Sequence, residues 1–277
     1  MLQTKITKNL IQPELKNRSN SLALITGGTR GVGYEIVEKM MELNIPTLFT
    51  GRNEKEIKEI ENRWHNSRRQ NLKGLQLDFL CSDSVSNFKQ YIDYYKPNIL
   101  VHNAGMLSLK KTETNKNLEK MFRVNTIGPI MLSEYALPHI LKQDFGHVMF
   151  NSPPINIDKK MIYIRPYIQT KIAQTFYMKT MASVLKDENI SVNSFWTNYP
   201  LWTDAVKKRN IGKIENCVHP SILAEVVEHI LNENPLFFKG NEIIDENFLL
   251  NRNVDLRAFT LGKETRYLDK LFLEHLR

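Results

Sequence analysis

The sequence predicts an α/β protein: one doubly wound domain built on a parallel sheet of about seven strands. Two observations carry that expectation. Short apolar runs rich in β-branched and aromatic residues alternate with segments of helical period, and the helical segments open on recognisable start signals. Strand and helix in alternation require crossover connections, and right-handed crossovers place helices on both faces of a parallel sheet. The chain of 277 residues, 42% hydrophobic and 25% charged, is long enough to bury the core of one such domain.

In chain order the predicted strands are LALIT (22–26), IPTLFT (45–50), LKGLQL (72–77), NILVH (98–102), HVMFN (147–151), ISVNSFW (190–196) and NEIID (241–245). Asn53 stands where an N-cap is expected, ahead of EKEIKEIENRW, and Pro166 opens the helix that begins RPYIQTK. No internal repeat or low-complexity tract interrupts the pattern. Residues 1–20 read as an N-terminal arm, 21–250 as the α/β domain and 251–277 as a C-terminal extension.

A formal charge of +8 fits nucleic acid, an anionic surface or an anionic cofactor. The basic clusters, RWHNSRR, Lys110–Lys111, Lys159–Lys160 and Lys207–Lys208–Arg209, are scattered along the chain. That scatter suits solvated faces better than a phosphate-tracking stripe, so no nucleic-acid partner is expected. No apolar run reaches the roughly 20 residues of a membrane span. Cys81 and Cys217 match no metal or redox spacing, which points to a reducing compartment. Cytoplasm is the default; the basic arm (Lys5, Lys8, Lys16, Arg18) leaves a mitochondrial address open, and the final EHLR is not a recognisable peroxisomal one.

After the first strand comes TGGTRGVG, with Gly27, Thr29, Arg30, Gly31, Val32 and Gly33 at a strand-to-helix turn. Glycines let the backbone approach a pyrophosphate, and the opening helix presents free N–H groups and the positive end of its dipole. The second strand ends Thr50-Gly51-Arg52, where an acidic residue would bind the ribose hydroxyls of NAD. Arg52, with Arg30 beside it, instead suits a 2′-phosphate, so NADP(H) is the expected cofactor. Asp78 after the third strand and Asn103-Ala104-Gly105 after the fourth are expected to line the adenosine edge of the same crevice.

Taken together, TGGTRGVG, NAG, VN and YIQTK resemble the short-chain dehydrogenase/reductase family over roughly residues 20–250. Tyr167 and Lys171 lie four apart, on one face of a helix, where an ammonium can favour the phenolate and bring the phenol into the range of acid/base work. The resemblance implies a Rossmann fold and a homodimer or homotetramer. It also implies Tyr167 as general acid/base, Lys171 as its activator and nicotinamide-ribose ligand, and Asn125 as the residue that holds a relay water. A Ser that binds the substrate oxygen is expected thirteen residues before the Tyr, which is Pro154, while counting from Gly146 gives Pro153. Ser152 fills the role only if the loop bulges; otherwise it passes to Asn156 or a water. The strings NSPPINI and FKGNEIIDENFL resemble the hydroxysteroid dehydrogenase-like protein 2 branch, here without its sterol-carrier domain. Thr197-Asn198 stand where many relatives have Pro-Gly, with Leu201 and Thr203 at the positions of the carboxamide contacts. Trp196, Tyr199 and Trp202 suggest a lid over an apolar substrate, and His102 is left unassigned. The expected function is NADP(H)-dependent interconversion of a carbonyl and an alcohol on a small lipophilic substrate. The alternative is an NADP(H)-binding sensor or interaction protein with weakened catalysis.

Overall fold

Seven parallel strands form one sheet in the order β3-β2-β1-β4-β5-β6-β7. They are β1 (Ala23–Ile25), β2 (Thr47–Gly51), β3 (Leu72–Gln76), β4 (Ile99–His102), β5 (Gly146–Asn151), β6 (Ile190–Trp196) and β7 (Glu242–Ile244). All seven predicted strands are present. The computed structural model describes residues 20–65, 71–108, 114–156, 164–209 and 213–262. Nearly all of the predicted arm, the Lys110–Lys111 and Lys159–Lys160 pairs and the end of the C-terminal extension lie outside the described residues.

Side chains alternate across the sheet, as a strand's period of two requires, and each face is covered by helices. Ala23, Ile25, Phe49, Val101, Met149 and Phe195 pack with α1 (Gly31–Glu42), α2 (Glu54–His65) and α8 (Ser221–Leu231). Leu24, Leu48, Leu100, Val148 and Phe150 pack with α3 (Ser82–Tyr95), α5 (Gly128–Ile140) and α6 (Arg165–Val184). Burial of each large apolar side chain contributes about 1.5–3 kcal/mol.

The predicted helix starts are in place. Asn53 Oδ1 accepts from Lys55 N at 2.9 Å ahead of α2, and Pro166 lies in the first turn of α6. Before α5, α4 (Asn115–Phe122) runs into a π-helical turn, Arg123–Ile127, that carries Asn125. Such turns displace one residue from the regular ladder. Two short helices, α7 (Asp204–Arg209) and α9 (Asp245–Leu250), follow β6 and β7. No described helix is long and apolar enough to cross a membrane.

β1 and β4 are neighbours although β2 and β3 intervene in sequence, so the chain turns outward in opposite directions from this pair. Loops leaving the strand ends diverge there and open a crevice.

Candidate active site

A crevice of about 610 Å³ runs along the carboxyl ends of the strands. At one end lie Gly27, Thr29, Arg30, Gly31, Val32 and Arg52; Asp78, Asn103, Ala104 and Gly105 follow, and Tyr167 and Lys171 lie at the other. Those sequence-predicted residues, with Thr203, share one cavity.

Backbone geometry explains the glycines. Gly27 has φ +68° and Gly31 φ +56°, a region that penalises any side chain. Gly33 does not line the cavity; a Cβ on it would stand 2.2 Å from Gly27 O and 2.4 Å from Asn103 Nδ2, so it allows α1 to pack against the loop. Thr203 Cγ2 lies 3.5 Å from the position of a Cβ on Gly31, which places this threonine over the glycine turn.

The adjoining loops are held by side-chain bonds. Thr26 Oγ1 accepts from Asn103 N (3.0 Å) and Ala104 N (3.1 Å), and Asn103 Nδ2 donates to Thr26 O (3.2 Å) and Gly27 O (3.3 Å). Asp78 Oδ1 accepts from Leu80 N at 2.9 Å, a local turn that keeps the aspartate at the rim. Arg30 and Arg52 are exposed, and no ion pair among the described residues engages either.

Toward the other end, Lys171 is 1% exposed, its Nζ donating to Asn151 O at 2.8 Å. Burial pushes this ammonium down to about 7 and raises the Tyr167 phenol above its ordinary value. In this arrangement desolvation outweighs the help that a cation four residues away was expected to give the phenolate. Asn125 is fully buried: its Oδ1 accepts from Met106 N (2.7 Å), and its Nδ2 donates to Met106 O (3.0 Å) and Thr170 Oγ1 (2.8 Å). Thr170 Oγ1 in turn donates to Tyr167 O at 2.6 Å, so the π-helical turn is tied to the stretch of α6 that carries Tyr167 and Lys171.

Ser152 is not brought to the crevice. It is 1% exposed, and its Oγ accepts from Thr175 Oγ1 at 2.8 Å on the α6 side. The bulge that would have carried this hydroxyl to the cavity is absent, and Asn156 is exposed outside the cavity lining. Asn151, which the sequence reading passed over, occupies the strand end instead: it lines the cavity, and its Nδ2 donates to Asn103 Oδ1 at 3.0 Å. A polar residue closing a central apolar strand was the available signal. Trp196 and Tyr199 line the cavity, but Trp202 does not; Lys207 Nζ lies 5.8 Å from the centre of its ring. His102 is a core residue, bonded through Nε2 to Ser133 Oγ (2.8 Å), stacked on Phe150 and pushed down to about 3 by burial and the Lys171 charge.

Residues 21–213 match the family model described as short chain dehydrogenase. The chain belongs to the short-chain dehydrogenase family. It is therefore an oxidoreductase of a family that uses a nicotinamide cofactor, and the glycine cradle and the exposed Arg30 and Arg52 fit such a group. Hydroxysteroid dehydrogenase-like protein 2 of Homo sapiens is 31% identical over 163 residues, 57% of this chain and 38% of that protein. Its Xenopus tropicalis counterpart is 30% identical over 183 residues, 64% of this chain and 43% of that protein. The matches thus span about two fifths of these relatives' length. Among solved structures, a short chain dehydrogenase from Mycobacterium thermoresistibile superposes with TM-score 0.75 at 22% identity, covering 92% of this chain and 97% of that one. ElxO with NADP bound gives TM-score 0.72 at 21% identity, covering 83% and 99%. Both likenesses show the shared fold.

Proposed function

We propose that this short-chain dehydrogenase interconverts a carbonyl and an alcohol on a lipophilic substrate with NADP(H), Tyr167 serving as general acid/base. The observation that carries this reading is the convergence of Tyr167 and Lys171 with the glycine loop in one crevice. When bound, the cofactor supplies or accepts the hydride. Every other part is played by side chains of this chain.

Gly27, Gly31 and the amides at the start of α1 would hold the pyrophosphate, Arg30 and Arg52 the 2′-phosphate of the adenosine ribose, and Asp78 with Asn103-Ala104-Gly105 the adenosine edge. At neutral pH the half-buried phenol of Tyr167, raised by desolvation, carries its proton, the form needed to protonate a carbonyl oxygen during reduction. An anionic ligand in the crevice favours the ammonium of Lys171, and that cation then draws the phenol down for the reverse direction. Asn125 acts through its bonds to Met106 and Thr170, fixing the turn of α6 that aims both groups. Leu107, Val124, Ile164, Trp196, Pro200 and Leu201 are apolar members of the cavity lining, with Ile164 and Trp196 packed beside Tyr167, and support a lipophilic substrate.

A second reading, a cofactor-binding protein with weak catalysis, is favoured by Ser152, whose hydroxyl is engaged by Thr175. One experiment separates the two. Wild type and Tyr167→Phe are titrated with NADPH and assayed on a panel of aldehydes, ketones and 3-ketoacyl compounds. The enzyme reading expects Tyr167→Phe to bind NADPH as wild type does and to lose at least about a hundredfold in turnover. NADPH binding by a wild type that oxidises it with no carbonyl would favour the binding protein.

A further inference from the structure

The turn after β6 reaches the crevice through Thr197 and Tyr199, yet neither Thr197 nor Asn198 has a ring to fix its backbone. What holds it comes from the end of the sheet, 47 residues away in sequence. Asp245 is fully buried, and its Oδ1 accepts from Asn198 N at 2.8 Å and from Glu246 N at 2.7 Å. Glu246 accepts from Asn198 Nδ2 (2.5 Å) and from Tyr199 OH (2.5 Å). Thr197 Oγ1 closes the turn, donating to Tyr199 O at 2.8 Å and accepting from Tyr199 N at 3.0 Å. Glu242, on β7, reaches the other flanking loop: its carboxylate accepts from Ile155 N at 2.7 Å and pairs with Lys179 of α6 at 2.5 Å. Three carboxylates from five consecutive residues thus grip both loops that flank the Tyr167 end of the crevice.

We propose that Asp245 and Glu246 are positioning residues for the dinucleotide: they clamp the 197–199 turn so that the crevice is preformed beside Tyr167, with Glu242 securing the segment after Pro153-Pro154. The inference rests on the nicotinamide-cofactor reading above. Burial pushes the Asp245 carboxyl up only to about 6, so at neutral pH it is the ionised acceptor that makes strong, short bonds to main-chain amides. Without it, the buried amide of Asn198 and the part-buried amide of Glu246 lose this acceptor and the turn is free to open. The clamp's bonds end on Asn198 and Tyr199 and not on Arg30 or Arg52, so its removal should be felt at the Tyr167 end of the cofactor rather than at the phosphate end.

The test compares NADPH with adenosine 2′,5′-bisphosphate, which carries the phosphate end and lacks the nicotinamide. Asp245→Ala is expected to weaken NADPH by about tenfold or more, the scale of a lost bond to a charged acceptor. The bisphosphate should bind within about twofold of wild type, and Asp245→Asn, which keeps the acceptor oxygen, should restore most of the NADPH affinity. Unchanged NADPH affinity, or equal loss of both ligands, overturns the clamp. Amide hydrogen exchange on Glu246→Ala provides a second arm that needs neither ligand nor turnover. Residues 196–199 should exchange at least about tenfold faster while the Gly27–Gly33 amides stay as in wild type. Unaltered exchange at 196–199 overturns the proposal even if Asp245→Ala does not fold. A wild type that binds neither ligand would sink the cofactor reading instead, with the exchange arm still deciding the clamp.

Discussion

Replacing Lys171 with methionine tests the electrostatics of the crevice without any ligand. The ammonium is 1% exposed, and burial lowers it from 10.5 to about 7. At about 1.4 kcal/mol for each tenfold in proton affinity, holding it charged costs the folded protein at most about 5 kcal/mol. Methionine has a similar length and needs no solvation, but it leaves the Asn151 carbonyl unpaired, a cost of about 1–3 kcal/mol. The net expectation at pH 6 is a variant more stable by about 2 kcal/mol, or about 4–8 °C in Tm for a domain of this size. The sign with pH follows from linkage. Between about 7 and 10.5 the unfolded chain holds the proton that the folded chain has released, so wild-type stability rises with pH across that window. At and below about 7 the penalty is fully present. Thermal melts of both proteins at pH 6, 7.5 and 9 should therefore show a gap that is largest at pH 6 and closes upward. A gap independent of pH, or a variant less stable than wild type at pH 6, would show that the ammonium is solvated and that the burial argument is wrong.

Three further outcomes follow from named contacts. Arg52→Asp should move the NADPH-to-NADH affinity ratio down by about a hundredfold, since a charge-assisted phosphate contact of about 1.5–3 kcal/mol is replaced by repulsion; equal weakening of both in fluorescence titrations would make Arg52 structural. Ser152→Ala should leave turnover within about threefold and cost about 1 kcal/mol in urea unfolding, because Thr175 keeps the Pro153 carbonyl at 2.7 Å as its other acceptor. A hundredfold fall in kcat at unchanged stability would return Ser152 to the substrate oxygen. Gly33→Ala should lose nucleotide binding and about 1–3 kcal/mol of stability by forcing α1 off the Gly27 loop, read by NADPH titration together with urea unfolding.

The parts of the fold legible in the sequence are those set by local constraints. The inner strands, covered on both sides, are buried along almost their whole length and read as largely apolar runs, while the edge strands β3 (LKGLQ) and β7 (EII) mix polar and apolar residues; all seven showed, although the ordered ladders of β1 and β7 are shorter than the runs. The glycine loop showed because a backbone at positive φ leaves few choices of residue. Ser152 was misplaced for an equally simple reason. One step along an extended strand reverses the side chain, so Asn151 reaches Asn103 in the crevice while Ser152 turns to Thr175 of α6. No count of residues from Tyr167 could choose between the two faces. The grip of Asp245 on Asn198 was hidden because it is a long-range contact, and IDEN by itself looks like an ordinary helix start.

Burial also reverses the simple picture of the Tyr-Lys pair. Spacing alone makes Lys171 a helper of the phenolate, whereas the folded crevice disfavours both charged forms, raising Tyr167 and lowering Lys171 to about 7. Each ionised form then needs a counter-charge, and among the described residues the bonds of Lys171 go to neutral partners, the Asn151 carbonyl and, at 3.4 Å, Gln174 Oε1. On the proposed reading that counter-charge is brought by an anionic cofactor. Acid/base competence at Tyr167 would then be coupled to cofactor binding through Lys171. Proton release and cofactor affinity should be linked: cofactor binding to wild type above pH 7 takes up a proton at Lys171, and the same titration on Lys171→Met does not.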